Sequence, residues 1–149
     1  MKDPMEVYSK PLKIKKYKLG VLYYLRSRTK KAGRELLVPY DERYPLIPDF
    51  KAHYAYFVRF LEKDNCAGNH YHKIKKELLV PLVGEFEIRL EDIKTKKQEK
   101  IGVSSKDYSA FYIPPKVSHA IISKEKGGLF LVIATSSASE VDEYPYAMK

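Results

Sequence analysis

The seven residues Glu85-Phe86-Glu87-Ile88-Arg89-Leu90-Glu91 alternate polar and apolar side chains without a break. A period of two belongs to a strand with one face in a core and the other in water. No stretch of twelve or more residues keeps a clean 3.6-residue period, so long amphipathic helices are not expected. Gly20-Val21-Leu22-Tyr23-Tyr24-Leu25, Glu35-Leu36-Leu37-Val38, Tyr54 to Phe60, Ala110-Phe111-Tyr112-Ile113 and Leu129 to Ile133 also suit strands. Thirteen tyrosines and frequent valine and isoleucine favour the same state. Leu78 to Val83 is an apolar run that stops at Gly84, where a turn into the next strand calls for positive φ. Many short strands divided by turn signals predict an all-β barrel or sandwich.

At 149 residues the chain has the size of one domain with a real core. Residues 54–135 form the expected barrel core. Residues 1–53 are expected to add strands and an oligomer contact, and 136–149 a polar tail with an acidic patch at Glu140, Asp142 and Glu143. No run approaches the ~20 apolar residues that span a bilayer. The Met1-Lys2-Asp3-Pro4 start leads into charge rather than an apolar leader. Cys66 is the single cysteine, which excludes an intrachain disulfide and suits a reducing cytoplasm; it reads as a semi-buried bystander. The formal charge of +9 invites a nucleic-acid partner. The lysines are spread along the chain and mixed with acids, however. Lys13 to Lys16 alternates like an exposed strand face, and Lys94 to Lys100 falls where a hairpin turn is expected. Neither nucleic acid nor membrane is expected as a partner, while a basic surface would suit a phosphorylated small substrate.

Three of the four histidines share one pattern with a glutamate. His70 and His72 are followed by Glu77 and Gly84, and His119 follows the rigid Pro114-Pro115 pair. Two apart on a strand, His70 and His72 point to the same face, leaving Tyr71 on the other as packing. Glu77 opens the next strand and His119 lies at the start of another, so four side chains from three adjacent strands can converge inside the barrel. Three imidazoles and a carboxylate make a first shell for a divalent transition metal such as Zn, Fe, Mn or Ni. His53 and Asp107 read as structural.

His70-x-His72, then Glu77 and Gly84 at their spacings, resembles the first motif of the cupin superfamily. Pro114-x-Lys116-x-x-His119 resembles the second, with lysine where glycine is usual. The resemblance implies a single-domain jelly-roll (double-stranded β-helix) barrel, commonly dimeric, with the metal inside. Gly68-Asn69-His70-Tyr71-His72-Lys73, Ile113 to His119 and Leu131 to Ser136 are similar to nucleotide-sugar cupins. These are the WxcM-like deoxysugar 3,4-ketoisomerases and the carbohydrate-epimerase cupins of polysaccharide biosynthesis. The implied activity is isomerisation or epimerisation of a nucleotide-linked 4-keto-6-deoxysugar by proton abstraction next to the ketone. By that resemblance the ketoisomerases usually carry arginine at the position of Ala67, glutamine at that of Glu77 and tryptophan at that of Ser118. The chemistry forks. Without a metal, His72 is the expected base, with His70 as its catalytic partner. With one, His70, His72, Glu77 and His119 are ligands, and the base is another group such as Tyr56, Tyr112 or Lys116. Arg59 and Lys116 are the expected substrate-binding cations. A metal-dependent dioxygenase and a non-catalytic small-molecule-binding domain are the alternatives.

Overall fold

The computed structural model describes residues 3–28, 33–136 and 140–148. The first two residues and positions 137–139 of the expected tail lie outside the described residues. A short helix, α1 (Pro4–Tyr8), is capped by Asp3, whose Oδ1 accepts from the Met5 amide at 2.9 Å. Eleven strands follow among the described residues: β1 (Lys13–Lys16), β2 (Val21–Tyr24), β3 (Tyr54–Arg59), β4 (Cys66–Tyr71), β5 (Glu77–Val83), β6 (Glu85–Asp92), β7 (Gln98–Ser104), β8 (Ser109–Ile113), β9 (Val117–Ser123), β10 (Leu129–Ala134) and β11 (Tyr144–Pro145). They form two antiparallel sheets, ordered β1-β2-β8-β5-β10-β3 and β11-β4-β9-β6-β7. No helix among them is long and apolar enough to cross a membrane.

The alternation in β6 works as expected. Phe86, Ile88 and Leu90 enter the space between the sheets, where they meet Leu79, Phe111 and Phe130. The unbroken apolar run of β5 has a different cause. Leu79 faces this inner core, while Leu78 and Val80 face the outer side of the six-stranded sheet. There they are covered by Ile47 and Phe50, so both faces of the strand are buried. The segment before β3 thus adds β1 and β2 to the six-stranded sheet, as expected, and its later part covers the outer face of that sheet. Glu35 to Val38, expected as a strand, makes only the isolated bridge Ser27↔Leu37.

Gly84 sits at φ 94° at the corner where the chain leaves one sheet for the other, as the sequence required. Lys116 has φ 66°, in the tight turn between β8 and β9. This is the left-handed region that glycine occupies at least cost, which accounts physically for glycine being usual there. The expected hairpin turn near Lys94 is present: Asp92 Oδ1 accepts from the amides of Lys94 at 2.8 Å and Thr95 at 3.0 Å. The strand β7 begins sooner than expected, at Gln98.

Candidate active site

The local geometry of β4 sets the site. Gly68 (φ 105°) and Asn69 (φ 63°) are both left-handed, and the pairing of β4 with β9 shifts register between Gly68 and His70. This bulge inserts one residue and changes the parity of the strand. Ala67 and His70, three apart, consequently both line the cavity between the sheets. Gly68 also lets β4 approach β9 closely, because a Cβ there would lie 2.5 Å from the His119 carbonyl oxygen.

His70, His72, Glu77 and His119 come together, with one donor atom from each lying within 4.8 Å of the others. The expectation of three adjacent strands needs correction. β4 and β9 are neighbours, but Glu77 reaches across from β5 in the facing sheet. Its Oε1 lies 3.2 Å from Nε2 of both His72 and His119. The imidazole of His70 packs edge-on to His119, with centroids 4.7 Å apart, and lies 4.9 Å from His72. On their other sides the rings meet carbonyls: His72 Nδ1 is 2.6 Å from the Asp142 oxygen and His119 Nδ1 is 3.4 Å from that of Val117. Nδ1–H donation to those carbonyls leaves each Nε2 lone pair facing Glu77. His72 Nε2 and Glu77 Oε1 are buried, and neither makes a well-aligned hydrogen bond. A proton on His72 or a cation among the donors would resolve that confrontation. The donor set thus fits a divalent metal.

The electrostatics divide the three imidazoles. Burial pushes His119 down to about 4, despite the nearby carboxylate, and so keeps it neutral. Burial also lowers His70, outweighing the charge of Glu143. For His72 burial pulls the same way, but Glu77 and the Asp142 carbonyl outweigh it and the value is raised. Glu77 is desolvated as well, yet His72, His119 and Lys75 bring its carboxyl down to about 2. Tyr56 donates to Glu77 Oε2 at 3.3 Å; burial and that carboxylate drive its phenol well above the ordinary value.

These shifts give acid stability a definite sign in protein stripped of divalent metal. Between 6.5 and about 4 the unfolded chain takes a proton that His119 refuses in the fold. Between 4.5 and about 2 Glu77 does the same. Both contributions are lost as pH falls through their windows, each up to about 3 kcal/mol. The raised His72 works oppositely, but in a higher window: it favours the fold as pH falls from its elevated value to 6.5. Urea midpoints should therefore fall from neutral pH to the acid side of His119's window, and fall less in His119→Asn. An identical acid loss in both proteins would refute the assignment.

Other residues expected at the site lie elsewhere. Arg59 is exposed at the end of β3, on the face opposite Tyr56 and Val58, so it does not line this cavity. Tyr112 packs edge-on against Phe50 on the outer face of its sheet. The side chain of Lys116 is exposed in its turn, although its amide donates to the His72 carbonyl at 2.6 Å. Tyr71 packs against Tyr144, as expected of the strand's other face. Cys66 is exposed rather than semi-buried. Three further residues border the site. Lys75 is 4% exposed, with Nζ 6.0 Å from the centre of the Tyr54 ring. Asp142 and Glu143 arrive from the tail, where the sequence shows only an acidic patch.

The cavity holds about 200 Å³. Val58, Leu79, Ile121, Phe130 and Val132 make most of its wall, with His70, Glu77, His119 and Tyr56 as the polar groups. The arrangement can accept a small ring with one polar edge and hold it away from water. No functionally curated protein matches the chain. Among solved structures, QdtA, a sugar 3,4-ketoisomerase from Thermoanaerobacterium thermosaccharolyticum in complex with TDP, matches at 25% identity with a TM-score of 0.73. The match covers 87% of this chain and 90% of that one. The WlaRB TDP-quinovose 3,4-ketoisomerase from Campylobacter jejuni matches at 19% identity and TM-score 0.74, covering 87% and 94%. The dTDP-6-deoxy-D-glucose-3,5-epimerase RmlC from Legionella pneumophila, in complex with dTDP-4-keto-L-rhamnose, matches at 17% and 0.76, covering 89% and 76%. The fold is the jelly-roll barrel of the nucleotide-sugar cupins. The family model described as FdtA: WxcM-like, C-terminal spans residues 25–148, and the chain belongs to that family.

Proposed function

We propose that the protein is an isomerase or epimerase of a nucleotide-linked 4-keto-6-deoxysugar. The observation that carries this reading is a cluster of three imidazoles and a carboxylate on an otherwise apolar cavity, in a chain of this family. The cavity is too small for a whole sugar nucleotide. The sugar ring enters it, and the nucleotide lies outside.

In the metal-free protein the base is His70. Of the two histidines on the cavity wall it is the accessible one, its side chain 23% exposed against 4% for His119, and burial keeps its imidazole neutral. His72, the base expected from the sequence, fits less well, because that ring is buried against Glu77 and does not line the cavity. His70 takes the proton from C3 while the C4 carbonyl oxygen collects the electron pair, giving an enediolate. Tyr56, kept protonated, is the donor placed to serve that oxygen. Passage of the C3 hydroxyl proton to the C4 oxygen, with return of the His70 proton to C4, moves the carbonyl to C3. Inversion of C3 instead requires a second proton donor on the opposite face of the ring. The apolar wall keeps water from the enediolate.

A second reading rests on the unresolved contact between His72 Nε2 and Glu77 Oε1. His70, His72, Glu77 and His119 would hold a divalent transition metal, which when bound supplies Lewis-acid polarisation of the carbonyl. The same ligand set suits an Fe(II) dioxygenase. Metal analysis of the purified protein separates the branches, since stoichiometric metal removes His70 as the free base. The function itself is tested with dTDP-4-keto-6-deoxyglucose and related sugars in deuterated water. Conversion to a 3-keto or epimerised sugar is expected, with deuterium at C3 or C4 where the His70 proton exchanges with solvent; no conversion of any of them overturns the proposal, and oxygen uptake in its place favours the dioxygenase.

A further inference from the structure

The tail returns across the end of the barrel as a strap that touches two of the three imidazoles. Its β11 pairs with β4 in the register Tyr144↔Tyr71 and Pro145↔His70. The rings of Tyr144 and Tyr71 stack at 5.1 Å, and Lys73 Nζ lies 4.5 Å from the centre of the Tyr144 ring. The Tyr146 amide donates to the Asn69 carbonyl at 2.8 Å. Just before this strand, the Asp142 carboxylate gathers three successive amides of the β4–β5 turn: Lys73 at 2.8 Å, Ile74 at 3.3 Å and Lys75 at 2.9 Å. Its own carbonyl meets His72 Nδ1. Glu143 Oε1 lies 3.5 Å from His70 Nδ1, with its side chain 46% exposed.

A neutral imidazole has one donor and one acceptor nitrogen, and the partner of one decides the role of the other. A carboxylate accepts only. Beside His70 Nδ1 it selects the Nδ1–H tautomer and leaves the Nε2 lone pair free. We propose that Glu143 is a positioning residue, holding His70 with Nε2 as the reactive or ligating nitrogen, and that Asp142 anchors the strap that carries it. The inference rests on the isomerase reading for its kinetic consequence but not for its structural one. Either branch of the chemistry needs an imidazole nitrogen presented to the cavity, so the strap serves both. Loss of Glu143 alone leaves the β11 pairing, the tyrosine stack and the Asp142 clamp in place, so the fold should survive.

The test pairs ¹⁵N imidazole NMR of the whole, substrate-free protein near neutral pH with steady-state kinetics. In the parent protein His70 should show the Nδ1–H tautomer. Glu143→Ala should shift it toward Nε2–H and lower kcat roughly 10–100-fold, the range for loss of a group that orients a histidine, with KM changed less than about twofold. Glu143→Gln, which keeps an acceptor oxygen, should fall between the two. Asp142→Ala should disturb His70 in the same direction by releasing the strap. A folded Glu143→Ala protein with an unchanged tautomer, or with kcat within about twofold of the parent, overturns the proposal. If the tautomer shifts but no protein in the series turns over 4-keto sugars, the positioning role stands and the isomerase reading falls.

Discussion

His70→Asn is expected to lower turnover by roughly 10²–10⁴-fold, the usual contribution of a positioned acid or base. Asparagine keeps a polar group of similar reach but offers no nitrogen that titrates near neutrality. Because the side chain of His70 is only partly buried, the fold should tolerate the change, and the affinity for TDP should hold. His119→Asn should behave differently. That ring is buried and packs against His70 and His72, so its loss opens the interior and weakens the fold together with turnover. Glu77→Gln removes the charge that faces two imidazoles while keeping the shape, which should lower both His72 basicity and any metal content. Stopped-time assays of 4-keto-sugar conversion, alongside TDP titration, read these apart. Turnover of His70→Asn within tenfold of the parent would remove His70 as the base.

The parts of the molecule legible in the sequence are those in which one local rule operates. β6 shows its alternation because one face meets the core and the other water. The histidine spacing shows its site because few other demands place His70, His72, Glu77 and His119 at those intervals. The side of β3 that faces the cavity was also within reach of alternation. If Tyr56 points inward, Arg59, three residues on, points out, and the structure has it so. What resisted reading is set by tertiary contact. β7 opens on the polar Gln98-Glu99-Lys100 at an edge of its sheet, and its pairing with β6 makes it a strand more than its own pattern does. β11 is two residues long and exists through β4, and with it come Asp142 and Glu143. The dual burial of β5 is visible as an apolar run, but the cover formed by Ile47 and Phe50 is not. Alternation also fails silently at the β4 bulge, where parity carried from Ala67 would send His70 to the wrong face.

That bulge makes Gly68 the position where a small change should have the largest structural effect. In Gly68→Ala the new Cβ would lie 2.5 Å from the carbonyl oxygen of His119, a backbone atom in the middle of β9 that cannot rotate away. The residue would also have to hold φ near 105°, a region that L side chains rarely adopt. Backbone strain of this kind costs about 1–3 kcal/mol. Forcing two paired strands apart adds about 1–3 kcal/mol more, as overpacking does elsewhere. Against the roughly 5–15 kcal/mol that holds a domain together, such a loss is severe. The strand that must yield carries His119, and the bulge that must change carries His70. Damage to stability should therefore bring loss of turnover, or of metal where metal is bound. Urea denaturation of Gly68→Ala should show a clear drop in midpoint at unchanged slope, whereas Gly102→Ala, where a Cβ meets nothing within 4 Å, should lose little. Equal midpoints for the two proteins would mean that close approach at Gly68 does not hold the site together.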